Sequence, residues 1–157
     1  MVNRLEPGKT APDFSLPADG ERTLRLRDYR GRKVVIFFYP RDDTSGCTRE
    51  AKDFSSLKAD FNDCETSIIG ISADSVASHE KFKAKHDLGV DLASDQDTEV
   101  LVDYGVWVDK NMYGRIFKGI ERTTLLVDRK GRISRIWRKV KVAGHAEEVL
   151  TAAQKLG

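Results

Sequence analysis

Apolar residues follow two different patterns along this chain: continuous runs, and recurrence every three or four positions. The stretch KVVIFFYP, residues 33–40, is a continuous run of β-branched and aromatic residues that ends at a proline, and TSIIGISAD, residues 66–74, repeats the pattern. Continuous apolar runs of this length are typical of strands that are covered on both faces. The pattern therefore predicts two buried strands.

Between these strands the apolar residues recur every three or four positions. Four of them lie at helical spacing with charged residues between them: Ala51, Phe54, Leu57 and Phe61. We expect one amphipathic helix that starts near Thr44 and continues to Cys64. Similar patterns predict helices in SVASHEKFKAKHD and AEEVLTAAQKL, and a short helix at the start of EVLVDYGVW.

Turn residues divide the remaining segments. PDFSLPADGERTLRLRDYRG suggests an N-terminal β-hairpin, RTTLLVD and GRISRIWRKVKV flank the turn RKG as a second hairpin, and YGVWVDKNMYG is interpreted as a loop. Strands that alternate with helices and end in a hairpin predict an α/β fold. We expect a thioredoxin-like fold, a mixed β-sheet flanked by helices, formed by residues 1–157 as a single domain.

Composition excludes several classes of protein. The chain has 157 residues, 39% of them hydrophobic and 33% charged, with a net charge of +2, which is too small to indicate a polyanionic partner. The basic run RKGRISRIWRKVK has one aromatic residue, Trp137, and basic residues along a late strand commonly guard a sheet edge, so we do not expect nucleic-acid binding. The N-terminal segment lacks the apolar core of a signal peptide and no apolar run is long enough to span a membrane, which predicts a cytoplasmic protein.

The chain has two cysteines, Cys47 and Cys64, which are the candidates for a reactive thiol. In a reducing compartment they are poor candidates for a structural disulfide. Cys47 falls in the first turn of the predicted helix, where free N–H groups and the helix dipole favour a thiolate and lower the thiol pKa. Alternatively, Cys47 is a small apolar residue of the buried helix face, since it lies four residues before Ala51.

A family resemblance bears on this choice. Pro40, Thr44 and Cys47 match the P-x-x-x-T-x-x-C signature of peroxiredoxins, and the surrounding FFYPRDDTSGCTREA resembles the bacterioferritin-comigratory, or Q-type, branch. The likeness continues through GKTAPDFSLP and YGVWVDKNMYGRIFKGIERTTLLVD, along nearly the whole chain. It implies a thiol-dependent peroxidase in which Cys47 attacks hydrogen peroxide or an alkyl hydroperoxide and becomes a sulfenic acid.

The resemblance also implies roles for four further residues. Thr44 would hydrogen-bond the thiolate and the peroxide, and Pro40 would shield the site. Arg122 would stabilise the thiolate and the leaving oxygen, and Glu50 would orient Arg122. From residue type alone, an arginine before a strand is usually a solvated cation, and Glu50 is equally an exposed first-turn acid that favours the helix dipole. The resemblance requires no metal, haem or flavin, and the three histidines form no zinc spacing with the cysteines.

The chain departs from the branch at the second thiol. Many Q-type members have a resolving cysteine five residues after the first or in the following helix, where this chain has Lys52 and Lys83. Along one continuous helix Cys64 would lie about 25 Å from Cys47, whereas a disulfide needs Cα atoms within roughly 7 Å. We therefore expect a one-cysteine mechanism with an external thiol reductant (thioredoxin, glutaredoxin or glutathione) and a monomer or weak dimer. The alternative is a thiol–disulfide exchange or redox-sensing protein that uses Cys47, with Cys64 as a resolving cysteine.

Overall fold

In the computed structural model, which describes residues 5–157, the chain forms nine strands and five α-helices. Residues 1–4, which begin the segment predicted to lack a signal sequence, lie outside the described residues. The elements in chain order are β1 (Ser15–Ala18), β2 (Arg22–Arg25), a 3₁₀ turn (Leu26–Tyr29), β3 (Lys33–Phe38), α1 (Ser45–Ser56), α2 (Lys58–Asp63), β4 (Thr66–Ser72), α3 (Val76–His86), β5 (Asp91–Ser94), α4 (Glu99–Asp103), β6 (Trp107–Met112), β7 (Arg115–Ile120), β8 (Thr123–Val127), β9 (Ile133–Trp137) and α5 (His145–Lys155).

Seven strands form one mixed sheet in the order β2-β1-β5-β4-β3-β8-β9. The central pairs β3–β4 and β4–β5 are parallel, and the outer pairs, which include the predicted hairpins β1–β2 and β8–β9, are antiparallel. The predicted mixed sheet with an N-terminal hairpin is therefore confirmed.

Strand β3 separates two hydrophobic cores. Its residues are all buried: Val34, Ile36 and Phe38 pack into one core, and Val35 and Phe37 into the other. This two-sided burial explains why the segment is an uninterrupted apolar run rather than an alternating one. The second core holds the buried faces of α1, α3 and α5 against the sheet.

An aromatic stack fixes helix α1 on the sheet. The rings of Phe37 and Phe54 lie 4.8 Å apart between their centroids and are nearly parallel. Phe37 has room for this because its neighbour on β4 is Gly70, where an added Cβ would come within 2.6 Å of the Phe37 ring. The start of α1 is thus positioned by a contact in the middle of the helix.

The predicted long helix is wrong in one respect. It is two helices, since α1 ends at Ser56 and α2 begins at Lys58, with Leu57 outside helical geometry. The Ser56 hydroxyl donates to the Asp53 carbonyl at 2.9 Å, a local bond that competes with continuation of the helix. Cys64 follows α2 rather than ending a straight helix from Cys47, so the 25 Å separation does not apply.

The interpretation of YGVWVDKNMYG as a loop is also wrong. Strands β6 and β7 pair as a separate two-stranded sheet, joined by Tyr113 and Gly114, which both have positive φ angles. A two-residue turn of this kind matches the twist of a hairpin. Strand β5, with only Leu92 and Ala93 as apolar residues, was not predicted at all.

Candidate active site

Cys47 is the third residue of helix α1. Thr44 precedes the helix with extended backbone angles, and its carbonyl accepts the first helical hydrogen bond from the Thr48 N–H at 2.8 Å. The predicted helix start at Thr44 is therefore confirmed. The first turn presents backbone N–H groups without helical partners, and the helix dipole makes this end electropositive.

The Cys47 side chain is nearly inaccessible. Its exposed fraction is 1%, and it packs with Ala51 in the second core. Burial alone would suit the interpretation of Cys47 as a small apolar residue. The polar surroundings of Cys47 do not suit that interpretation, because its sulfur also contacts a cation.

That cation is Arg122. It lies between β7 and β8, and its own carbonyl accepts the Val140 N–H at 3.0 Å. Its guanidinium donates from Nη2 to the Cys47 sulfur at 3.3 Å and from Nη1 to Oε1 of Glu50 at 2.7 Å. The structure thus brings together three of the five predicted site residues: Cys47, Arg122 and Glu50.

Gly46 gives the guanidinium space to approach the helix. A Cβ at this position would lie 3.3 Å from Nη2 of Arg122, which is tighter than ordinary packing contacts. The absence of a side chain here allows the planar group to lie across the first turn.

Burial and the charge of Arg122 shift the pKa of Glu50 in opposite directions. Burial raises its pKa to about 7 and outweighs the attraction of Arg122, which lowers it. The Glu50 Oε2 atom is buried and has no hydrogen-bond partner among the described residues, which adds to the cost of the charged form. Burial would lower the pKa of Arg122, but Glu50 and Cys47 more than offset this and raise it. Arg122 therefore remains a cation.

Thr44 and Pro40 are placed less directly. The Thr44 side chain is exposed, and its hydroxyl donates to the Arg41 carbonyl at 2.9 Å instead of capping the helix. Its predicted bonds to the thiolate and the peroxide would require this hydroxyl to turn. Pro40 is half-buried two residues beyond β3, and its shielding role stays a prediction.

The second thiol lies in a different environment. Cys64 is half-buried and donates from its sulfur to the Phe61 carbonyl at 3.3 Å. Both cysteines are free. Lys52 is exposed on α1, whereas Lys83 on α3 makes an ion pair of 2.8 Å with Asp19 in the N-terminal hairpin.

Lys110 was not predicted as part of the site. It lies on β6, half-buried, with its side chain over Gly119, where an added Cβ would approach the lysine to 3.0 Å. Burial first, and then the charge of Arg122, lower the pKa of Lys110, while Cys47 acts in the opposite direction. The amine is thus a second cation in electrostatic range of the sulfur. Lys110 was missed because the segment YGVWVDKNMYG, which contains it, was interpreted as a loop.

A buried polar cluster beside the site was also missed. Donor atoms of Asp42, Asp74 and His79 lie within 4.8 Å of one another, close enough to suggest metal ligands. Each is instead engaged in short hydrogen bonds within the protein, including one of 2.7 Å between His79 and Asp42. The sequence interpretation had placed Asp42, with Asp43, in a turn between strand and helix, because its partner His79 on α3 is 37 positions away.

Similarity to known proteins identifies the family of this chain. The AhpC/TSA family model matches residues 7–136. The chain belongs to the AhpC/TSA family of peroxiredoxins. A Bcp peroxiredoxin of Coxiella burnetii is 49% identical over 146 residues, 93% of this chain and 97% of the relative. Peroxiredoxin Bcp of Bacillus subtilis is 43% identical over 93% of both chains.

Solved peroxiredoxin structures share the fold. The bacterioferritin comigratory protein of Xanthomonas campestris superposes with a TM-score of 0.89 at 40% identity, over 95% of this chain and 98% of its own. PrxQ of Xylella fastidiosa, solved as a cysteine-to-serine mutant, superposes with a TM-score of 0.90 at 37% identity, over 96% of each chain. This chain is therefore a thiol-dependent peroxidase of the Bcp, or Q-type, branch, with a peroxide as substrate and a thiol as reductant.

Proposed function

We propose that Cys47 is the peroxidatic cysteine and that it reduces hydrogen peroxide and alkyl hydroperoxides. The contact that carries the proposal is the one between the Cys47 sulfur and Arg122, because a guanidinium at 3.3 Å stabilises a thiolate. The Xanthomonas campestris relative was solved to study its alkyl peroxide reduction activity, which supports organic peroxides as substrates.

The chemistry follows from this geometry. The Cys47 thiolate attacks one oxygen of the peroxide, the O–O bond breaks, and the sulfur keeps a hydroxyl group as sulfenic acid. The other oxygen leaves as hydroxide or alkoxide and takes up a proton to become water or an alcohol. Arg122 stabilises the negative charge as it moves from the sulfur to the leaving oxygen. Glu50 holds the guanidinium in place through Nη1.

An external thiol then restores the cysteine. The first thiol displaces water from the sulfenic acid and forms a mixed disulfide with Cys47, and a second thiol releases the reduced cysteine. Two structures of the Xanthomonas campestris enzyme carry single cysteine-to-serine changes at positions spaced as Cys47 and Lys83 are in this chain. Since this chain has an ion-paired lysine there, we propose a one-cysteine mechanism in which Cys64 is not required.

Thioredoxin, glutaredoxin and glutathione are the candidate reductants, since each supplies the thiols that this cycle consumes. The cytosol keeps such thiols reduced, so we also propose a cytoplasmic location. Among residues 5–157 no helix is long and apolar enough to cross a membrane. We also propose, from the family resemblance, that the chain acts as one domain and as a monomer or weak dimer.

Steady-state peroxide consumption with dithiothreitol as reductant tests the assignment. We expect Cys47→Ser to abolish turnover and Cys64→Ser to keep it. Turnover that disappears with Cys64→Ser, while Cys47 still forms a sulfenic acid, would show that Cys64 is the resolving cysteine. Normal peroxide consumption by Cys47→Ser would contradict the peroxidatic role itself.

A further inference from the structure

The segment between β3 and α1 contains a buried carboxylate that the chemistry above does not use. Asp42 accepts a hydrogen bond from the Tyr39 hydroxyl at 2.6 Å and another from the Ser78 hydroxyl at 2.8 Å. Its second oxygen also lies 2.7 Å from Nδ1 of His79. Tyr39 and His79 are fully buried, so the carboxylate joins this segment to the interior face of α3.

The hydrogen bonds of His79 fix the proton on one of its two ring nitrogens. Its Nε2 lies 2.9 Å from the Ala93 carbonyl, which can only accept, so Nε2 carries a proton. The 2.7 Å contact between Nδ1 and Asp42 requires one further proton, on either the ring or the carboxyl group. Asp42 and His79 therefore form a pair with no net charge. Such a pair is tolerated in the interior, whereas a lone charge would not be.

A second set of bonds holds the backbone of the same segment. The Asp42 N–H donates to the Asp74 carboxylate at 2.8 Å, and the same oxygen accepts the Ser72 hydroxyl at 2.8 Å. Asp42 is thus fixed through its side chain to α3 and through its backbone to the end of β4. Thr44, two residues later, is where α1 begins. This attachment therefore fixes the chain just before α1 and, together with the aromatic stack that holds α1 on the sheet, positions the first turn and Cys47.

Access to Cys47 makes this attachment important for the reaction. With an exposed fraction of 1%, the sulfur is closed to solvent, so even a small peroxide needs some movement of the surrounding residues to reach it. A thiol reductant is larger and must approach in line with the S–O bond, which requires the first turn of α1 to move away from Arg122. The two half-reactions therefore favour different positions of the segment between β3 and α1.

We propose that Asp42, with Tyr39 and His79, is a positioning residue that holds this segment in the conformation that reacts with peroxide, at the expense of access by the reductant. The inference rests on the proposed function of Cys47. It assigns a role to a network whose hydrogen bonds include neither the Cys47 sulfur nor Arg122. Weakening the network should slow oxidation of Cys47 and accelerate its reduction. General destabilisation of the fold would not change the rates of these two steps in opposite directions.

The test compares Asp42→Ala and the milder Tyr39→Phe with Lys33→Met. Lys33 is also buried and donates to the Ala153 and Leu156 carbonyls at 2.6 Å, but it lies at the opposite end of β3. Stopped-flow measurements give the rate of sulfenic acid formation with hydrogen peroxide and the rate of its reduction by dithiothreitol. We expect Asp42→Ala to lower the first rate about tenfold and raise the second several-fold, and Tyr39→Phe to do the same to a smaller extent. Lys33→Met should leave both rates near those of the unmodified protein.

Alkylation of Cys47 by iodoacetamide, mapped by peptide mass against Cys64, measures access without peroxide chemistry. It should be faster in Asp42→Ala and Tyr39→Phe than in Lys33→Met. If Asp42→Ala does not fold, Tyr39→Phe carries the comparison. Variants that match Lys33→Met in oxidation, reduction and alkylation would overturn the proposal. An unmodified protein that forms no sulfenic acid at Cys47 would instead contradict the proposed function, and the alkylation rates would still test the structural role of Asp42.

Discussion

The guanidinium of Arg122 bridges Cys47 and Glu50, with one nitrogen 3.3 Å from the sulfur and the other 2.7 Å from the carboxylate. Cys47 and Arg122 are 75 positions apart in the sequence. One comes from the first turn of a helix and the other from the residue before a strand. The fold therefore supplies the cation that the helix dipole alone could not provide.

Replacement of Arg122 by methionine should slow the reaction of Cys47 with hydrogen peroxide by at least about a hundredfold. This is the usual cost of removing one donor from a developing anion. Arg122→Lys should recover only part of the rate, because an ammonium cannot bond the sulfur and Glu50 with the same forked geometry. The rate is measured by stopped-flow fluorescence. Arg129→Met, at the other end of β8 and paired with Glu65, is the matched control and should react normally. Equal rates for Arg122→Met and Arg129→Met would contradict the role of Arg122.

Glu50 should make folding stability depend on pH. Its pKa is about 7 in the folded protein and 4.5 in an unfolded chain, so between these values the folded state holds the proton that the unfolded state has lost. Stability from this group is present below pH 4.5 and is lost as the pH rises to about 7, by roughly 3 kcal/mol at most. Urea unfolding at several pH values should show Glu50→Gln gaining stability relative to the unmodified protein across this range. The exposed Glu148→Gln provides the comparison, and a pH-independent difference for Glu50→Gln would refute the prediction.

Lys110 should assist the oxidation of Cys47 through its charge. Its ammonium lies on the hairpin near Arg122 and the sulfur, so Lys110→Met should slow the reaction with hydrogen peroxide about three- to tenfold, less than loss of Arg122. The effect should shrink as salt is added, because added ions screen a charge that is not in direct contact. Lys118→Met removes an exposed lysine of the same hairpin, paired with Asp109, and should have no effect. A similar loss for both variants would indicate damage to the hairpin rather than loss of a local charge.

The sequence predicted the central sheet and the position of Cys47 because both depend on local patterns. The run at residues 33–38 is apolar on both faces since it separates two cores, and the start of α1 follows from Thr44 and the helical spacing after it. The break at Leu57 depends on a side-chain bond of Ser56, which apolar spacing does not reveal. The β6–β7 hairpin was mistaken for a loop because its apolar residues at the turn are exposed rather than buried.

The contacts around Cys47 could not be derived from local pattern. Arg122 resembles any solvated cation before a strand, and only the family resemblance indicated its place. Asp42 and His79 are 37 residues apart and meet because α3 packs beside the end of β3. A buried carboxylate in a segment of turn residues has no distinctive signal until its partners are known.

The most direct test of Cys47 as the peroxidatic cysteine is intact-mass analysis of the reduced protein after one equivalent of hydrogen peroxide in the presence of dimedone, followed by peptide mapping. We expect one dimedone adduct, on Cys47, with Cys64 unmodified. A loss of two hydrogens without an adduct would show that Cys64 resolves Cys47 within the chain. Two thiols that remain reduced would contradict the assignment of Cys47 as the peroxidatic cysteine.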